Sequence, residues 1–146
     1  MEATKYLKRH FKKKSMDEKI NYLLDTCILI DFLRGNPNVY DLFVTDENIK
    51  LSMSTITMME LIIGALNKRE VNFIQKAFSK IEIIYINEEI SKMAEDLIIK
   101  YSKSHNLQIP DALIASTSIK MSLELITYNI SDFHYIPDIK LYQFTE

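Results

Sequence analysis

Three carboxylates in this sequence each stand as the only charged residue of an otherwise uncharged, mostly apolar stretch. They are Asp25 within residues 20–30, Glu60 within 51–67 and Asp111 within 104–119, where His105 is the one other titratable side chain. A lone carboxylate among core-type residues is costly to bury unless a partner neutralises it, and none of the three stretches supplies a Lys or Arg. Three carboxylates meeting in one cleft would repel each other, and a bound divalent cation would relieve both costs. The pattern therefore favours a cation site built from Asp25, Glu60 and Asp111.

Each carboxylate also has a structural explanation of its own. Asp25 stands between a predicted strand and a predicted helix, where Asp commonly caps the helix. Asp111 follows Pro110 and would favour a helix N-terminus through the macrodipole. Glu60 is harder to explain, because its helix offers no solvated stripe. Taken singly, the structural explanation leads for each residue, but three such coincidences together favour a functional cluster.

Composition restricts the class of protein. The 146 residues fit one domain with a sizeable core, and 47% apolar and 26% charged residues are ordinary for a globular protein. Only 2 Gly and 3 Pro favour helices over a loop-rich sandwich. No apolar run reaches the roughly 18 residues of a membrane span, and the basic N-terminus lacks the apolar core of a secretory signal. Cys27 is the only cysteine, so no internal disulfide can form and a cytoplasmic location is expected.

Charge is unevenly distributed along the chain. Residues 1–15 carry six Lys or Arg and one Glu, whereas the remaining 131 residues carry 12 positive and 19 negative charges. We therefore predict a basic N-terminal extension over residues 1–15 and one domain over 16–146. A solvated or frayed helix is the favoured interpretation of the extension, and a basic arm for RNA or a partner is the alternative. An acidic domain that handles nucleic acid would need cations or a local basic patch.

Apolar periodicity predicts strands alternating with helices. The predicted strands cover residues 20–24, 49–54, 81–86, 123–128 and 140–144, and the predicted helices cover 26–34, 37–47, 55–68, 70–80, 88–105 and 110–121. This alternation predicts an α/β domain with a mainly parallel sheet flanked by helices. Ligands bind such sheets at the carboxyl ends of the strands, so we expect an acidic cleft at that edge.

The segments that contain the three carboxylates resemble the motifs of the PIN domain family. The resemblance is carried by residues 23–26 with 30–35, 52–65, 109–117, and 125–133 with 136–137. Each motif alone is loose, but four in the family's order at sensible spacing are specific, and they extend over roughly residues 20–144. The set is most similar to VapC-type toxins, the ribonuclease half of a toxin–antitoxin pair.

The resemblance implies a metal-dependent endoribonuclease that acts on RNA, forms a homodimer and binds a cognate antitoxin protein. It implies that Asp25, Glu60 and Asp111 hold the metal and act in catalysis. Mg²⁺ or Mn²⁺ suits these hard carboxylate oxygens, as one ion or two. Asp132 is implied as a catalytic residue and outer ligand. Asn129 stands where some relatives carry Asp, and it is implied, with Thr26, as a substrate-contacting or site-orienting residue.

Two other departures from the family pattern are Tyr128, where a basic residue is common, and Cys27, where a small polar residue is common. His10, His105 and His134 match no motif and have no evident partner, so we predict that they are surface or capping residues. A mechanism that uses a pair of histidines and the RNA 2′-hydroxyl is therefore not expected.

Two competing functions lack a residue that they need, and a third remains open. A haloacid-type phosphatase needs a second Asp two residues after the first, where this chain has Cys27. A receiver domain needs a phosphoacceptor Asp at a later strand end, but residues 81–86 are followed by Asn87. The serious alternative is a catalytically weak or inactive PIN scaffold that binds RNA or a protein partner, because the fourth acidic position is altered.

Overall fold

The computed structural model describes residues 20–36 and 48–143 of the chain. The strands are β1 (Ile20–Leu24), β2 (Ile49–Ser54), β3 (Glu82–Ile84) and β4 (Glu124–Ile126). The helices are α1 (Thr26–Leu33), α2 (Thr55–Ile63), α3 (Lys68–Ala77), α4 (Glu88–Tyr101) and α5 (Ile109–Lys120), and a 3-10 helix (Ile130–Asp132) follows β4. Within these ranges, no helix is long and apolar enough to cross a membrane.

The four strands pair in parallel in the order β3-β2-β1-β4. Their carboxyl ends therefore meet at one edge of the sheet. Successive side chains of a strand point to opposite faces, and β1 shows this directly. Tyr22 and Leu24 belong to a core covered by α1, α2 and α3, whereas Leu23 belongs to a second core covered by α4 and α5. The sheet is thus buried on both faces, as parallel sheets usually are.

The predicted α/β fold with a parallel sheet is confirmed, and β1 and β2 have the predicted bounds. The prediction of one helix over residues 55–68 was wrong. Helix α2 ends at Ile63, and the Asn67 side chain caps α3 by accepting a hydrogen bond from the Glu70 N–H at 3.0 Å. The Glu70 carboxylate in turn accepts from the Leu66 N–H at 2.8 Å. This reciprocal capping starts a new helix.

The last predicted strand, over residues 140–144, is reduced to one parallel bridge between Leu125 and Leu141 in the described part of the chain. Strand β4 is only three residues long, so it offers the returning chain few positions for pairing. The predicted helix over residues 37–47 and the basic extension over 1–15 lie outside the described residues.

Candidate active site at the carboxyl edge of the sheet

Asp25 lies where β1 ends and α1 begins, and its side chain is fixed from two directions. It caps α1 with extended backbone angles, and its Oδ1 accepts a hydrogen bond from the Thr26 N–H at 2.8 Å. Its Oδ2 accepts from the Thr127 hydroxyl at 2.6 Å. The Asp25 N–H donates to the carbonyl oxygen of Ile126 at 3.0 Å, which ties it to β4. With 5% of its surface exposed, Asp25 has little freedom to reorient.

Thr127 was not identified from the sequence, yet it is the buried residue that holds Asp25. Besides donating to Asp25, its Oγ1 accepts a hydrogen bond from the Asn129 N–H at 3.0 Å. The chain that leaves β4 is thereby linked to the carboxylate at the end of β1. One sequence signal could have found it: Thr127 is the polar residue that directly follows a buried apolar strand end.

Cys27 packs against the same carboxylate. Its Sγ lies 3.6 Å from Asp25 Oδ2 and 3.7 Å from Thr127 Oγ1. Burial, together with the negative charge of Asp25, raises the pKa of the Cys27 thiol to about 11. The thiol therefore stays protonated near neutral pH and donates its hydrogen to Asp25.

Glu60 reaches the edge of the sheet from helix α2. The Thr26 hydroxyl lies 3.2 Å from Glu60 Oε1 and 3.3 Å from Thr57 Oγ1, and it can donate its single proton to either oxygen. Thr26 therefore bridges the start of α1 and the middle of α2. Its backbone N–H contacts Asp25, so one residue positions two of the three carboxylates.

Asp111 lies in the first turn of α5 and is half-buried. The pKa of this carboxyl group rises from 3.8 to about 6, mainly because of burial and then because of the negative charges of Asp25, Asp132 and Glu60, in that order of importance. The four predicted carboxylates therefore lie close enough to interact through their charges. Among the described residues, no Lys or Arg forms an ion pair with any of the four.

The two candidates for the fourth position differ in their contacts. Asp132 lies in the 3-10 helix, is exposed, and faces Asp111 closely enough to raise its pKa. Asn129 precedes that helix; its backbone N–H contacts Thr127, and its side chain is exposed. The structure thus brings Asp132 toward the other carboxylates and uses the backbone of Asn129 to tie the loop to Thr127.

The donor set has the chemistry of a hard-cation site. Carboxylate oxygens are the ligands that Mg²⁺ and Mn²⁺ prefer, and the accumulated negative charge at Asp111 calls for a compensating cation. Within residues 20–36 and 48–143, no three His, Cys, Asp or Glu side chains are arranged to ligate one ion as they stand. By chemistry and charge, these residues fit a divalent cation.

Asp31 is a buried carboxylate that sequence reasoning missed. It is 5% exposed on α1, and its Oδ2 accepts hydrogen bonds from the Tyr128 hydroxyl at 2.9 Å and from Asn36 Nδ2 at 3.1 Å. Burial, and then the bond to Asp31, raise the pKa of Tyr128. Tyr128 stands where the resemblance predicts a basic residue. In the structure its hydroxyl satisfies a buried carboxylate.

A groove opens beside Glu60. A cavity of about 530 Å³ lies among α1, α2 and α3, and Thr26 and Glu60 form part of its wall. Phe73, on its wall, is 62% exposed, and Ile63 and Leu66 at the end of α2 are more than 80% exposed. An apolar surface of this kind, rimmed by polar residues, is typical of a protein interface.

The interpretation of the histidines needs a correction. His105 and His134 are exposed, as expected for surface residues. However, the prediction that they have no partner was wrong, because both contact the ring of Tyr135. The contact was not visible in the sequence, since His105 and Tyr135 lie 30 positions apart. His10 lies outside the described residues.

Comparison with known proteins identifies relatives of this arrangement. The profile of the PIN domain family matches residues 22–138. Ribonuclease VapC19 of Mycobacterium tuberculosis is 29% identical over 121 residues, covering 81% of this chain and 96% of its own. A toxin–antitoxin complex from Klebsiella pneumoniae contains a chain that is 33% identical with a TM-score of 0.66, covering 81% of this chain and 94% of that one. A chain of VapBC-1 from nontypeable Haemophilus influenzae is 26% identical with a TM-score of 0.71, covering 87% of this chain and 100% of that one.

Proposed function

The chain belongs to the PIN domain family, and from that premise we propose that it is a metal-dependent endoribonuclease and the toxin of a toxin–antitoxin pair. Relatives over most of its length carry the name ribonuclease, and related structures are toxin–antitoxin complexes. The observation that carries the proposal is the state of Asp111. Burial and three neighbouring carboxylates raise its pKa, and no Lys or Arg of the described chain pairs with it.

Asp25, Glu60 and Asp111 would hold the cation, with Asp132 as an outer ligand. A bound Mg²⁺ or Mn²⁺ supplies an activated water and stabilises the charge that develops on the phosphodiester. Asp25 is prepared for its role, because Thr127 and the Thr26 N–H hold both of its oxygens. Such supporting contacts orient ligands and are often nearly as important as the ligands themselves.

The remaining side chains of the site orient other groups and do not themselves react. The Thr26 hydroxyl orients Glu60, and Cys27 stays a neutral thiol against Asp25. Asn129 is exposed, and its backbone N–H contacts Thr127, so its amide would be available to contact the sugar–phosphate chain of an RNA substrate. An RNA substrate and a single free cysteine both favour a cytoplasmic location.

The proposed partner is an antitoxin that occupies the groove among α1, α2 and α3. Its wall includes Thr26 and Glu60, so a segment lying in it meets the carboxylates at Glu60. An Arg or Lys of that segment would then neutralise them by charge-assisted hydrogen bonds. The exposed apolar residues of α2 and α3 also provide a surface for a homodimer. A complex structure with the antitoxin bound elsewhere would overturn this inhibitory device.

Incubation of the purified protein with defined RNAs tests the proposed activity. We expect cleavage with Mg²⁺ or Mn²⁺ and none with a chelator. Asp111→Asn should lose more than the ~10–100-fold typical of residues that only support a ligand. Asp96→Asn is the matched control, because it makes the same change on the exposed surface of α4. Cleavage that survives both chelator and Asp111→Asn would refute the proposal, and RNA binding without cleavage would favour an inactive scaffold.

A further inference from the structure

Three rings form a compact cluster where the end of α4 meets the segment after the 3-10 helix. The rings of His105 and Tyr135 are stacked, with centroids 4.1 Å apart and planes inclined by 18°. The ring of Tyr101 meets both edge-on, at 5.5 Å from His105 and 5.2 Å from Tyr135. We call Tyr101, His105 and Tyr135 the aromatic platform.

The platform is held in place by the backbone. Tyr101 is the last residue of α4, and its carbonyl oxygen accepts a hydrogen bond from the His105 N–H at 2.9 Å. The Ser104 hydroxyl lies 2.8 Å from His105 Nδ1, which limits rotation of the imidazole. Tyr101 and Tyr135 also pack against the core beneath α4 and α5. Little conformational entropy therefore remains to be lost when a ligand contacts these rings.

The platform lies beside the carboxylates. Burial raises the pKa of Tyr135, and the charges of Asp111 and Asp132 raise it further, so both carboxylates are near its phenol. The chain explains this placement. Asp132 stands three residues before Tyr135, and Asp111 six residues after His105. Both segments that build the platform thus continue directly into the candidate active site.

Packing accounts for two members of the platform and leaves the third unexplained. Tyr101 and Tyr135 are partly buried and serve the core, but His105 is exposed. Its ring therefore presents an open face above Tyr135. A flat, fixed and exposed ring near the candidate active site has the properties of a surface on which an unpaired base stacks.

Base stacking matters more for RNA affinity in this protein because its domain is acidic. The 131 residues after the basic extension carry 19 acidic and 12 basic side chains, so the domain repels phosphates overall. Base stacking supplies affinity that does not depend on charge.

We propose that the aromatic platform is a stacking site for an unpaired base of the RNA substrate, with His105 as the contacting ring and Tyr135 as its support. This inference rests on RNA being the substrate. The site is sequence-tolerant, since every base has a π face, and it favours purines, because their larger rings overlap more with the imidazole.

Fluorescence anisotropy with labelled nine-nucleotide oligoadenylate and oligouridylate tests the platform. The full chain carries Asp111→Asn, so that binding is measured without cleavage. We expect His105→Ala to weaken oligoadenylate binding about 10-fold, or ~1.4 kcal/mol, and oligouridylate binding less. His105→Phe, which keeps a ring, should retain the affinity. Tyr135→Leu should weaken binding as His105→Ala does. Tyr85→Leu is the control and should have no effect, because Tyr85 is an exposed residue after β3, at the opposite side of the sheet from β4.

Two results would overturn the platform. One is wild-type affinity in His105→Ala, and the other is equal weakening by His105→Ala and His105→Phe, which would indicate a hydrogen bond or charge instead of stacking. Because His105 is exposed, its variants remain informative even if Tyr135→Leu fails to fold. The proposed activity is tested separately: if wild-type protein cleaves no RNA while the His105 variants behave as expected, the nuclease proposal fails and the platform stands. If wild type cleaves and the His105 variants bind normally, only the platform fails.

Discussion

Replacing Asp111 by Asn should abolish activity and yet leave the cation-free protein as stable as wild type or more stable. The reason is that the wild-type carboxylate is half-buried beside Asp25, Asp132 and Glu60. Asn keeps the size and shape of the side chain while removing one of the mutually repelling charges. A residue that only started helix α5 would show the opposite effect, because Asp in the first turn of a helix is stabilising.

The change in stability depends on two opposing effects, the removal of a repelled charge and the loss of a favourable interaction with the helix N-terminus. The pKa of Asp111 rises from 3.8 to about 6 on folding, and each pKa unit corresponds to about 1.4 kcal/mol between the protonation states. Because the group is only half-buried, solvent screening reduces this penalty to about 1–2 kcal/mol. Loss of the favourable interaction with the helix N-terminus costs ~0.3–1 kcal/mol. The net expectation is a variant about 0–1.7 kcal/mol more stable than wild type, and each kcal/mol raises the melting temperature by roughly 2–4 °C.

The pH dependence provides an independent check of the same cause. The pKa of Asp111 is higher in the folded state than in the unfolded state. Its contribution to the stability of wild type is therefore fully present below pH 3.8 and is lost as the pH rises through about 6. The stability of Asp111→Asn relative to wild type should therefore increase between pH 4 and 6, and this difference in stability should stay constant above that range. Urea titrations or thermal melts at pH 4, 5, 6 and 7 in the presence of a chelator measure it.

Mg²⁺ should stabilise wild type more than it stabilises Asp111→Asn. A cation that binds only the folded cluster stabilises wild type by mass action, by ~2.7 kcal/mol at a hundred times its Kd. That gain should shrink in Asp111→Asn and persist in the surface control Asp96→Asn. A variant that is destabilised at neutral pH and responds to Mg²⁺ as wild type does would refute the metal cluster.

Three further predictions follow from the site and the charge pattern. Thr127→Val should lower kcat roughly 10-fold with an unchanged fold, because it removes the hydroxyl that holds Asp25, whereas Thr127→Ser should restore activity; steady-state kinetics beside circular dichroism would contradict this if both variants behave alike. The cleavage products should carry 5′-phosphate and 3′-hydroxyl ends, since activated water attacks the phosphorus; mass spectrometry that finds 2′,3′-cyclic phosphates would exclude this mechanism. Deleting residues 1–15, with their six basic side chains, should weaken RNA binding several-fold at low salt and hardly at all at high salt while cleavage persists; loss of the fold on deletion would show that the segment is not an appendage.

Local patterns were sufficient for much of the fold. Strands β1 and β2 have the expected bounds, because a residue that caps the next helix marks the end of each: Asp25 directly follows β1, and Ser54 is the last residue of β2. The division between α2 and α3 was also readable, from Asn67 followed three residues later by Glu70. A division was predicted, but between residues 68 and 70, because the apolar run of α2 continues past Gly64 and outweighed the cap.

The sequence by itself determined which carboxylates are unusual. Asp25, Glu60 and Asp111 are conspicuous because the chain supplies no nearby charge to balance them, and an unbalanced charge in an apolar segment has a cost that can be recognised without coordinates. The parallel pairing of predicted strands was enough to expect them at one edge of the sheet.

Only the tertiary structure decided what surrounds those carboxylates. Thr127 meets Asp25 across 102 positions because β1 and β4 are neighbours in the sheet, with Leu24 paired to Ile126. His105 meets Tyr135 because α4 and the segment after the 3-10 helix pack against the same core. A hydroxyl or an imidazole is compatible with many surroundings, so its partner depends on strand order and packing. A lone buried charge is compatible with few, and for that reason the sequence alone predicted the acids and left their supports to be found in the fold.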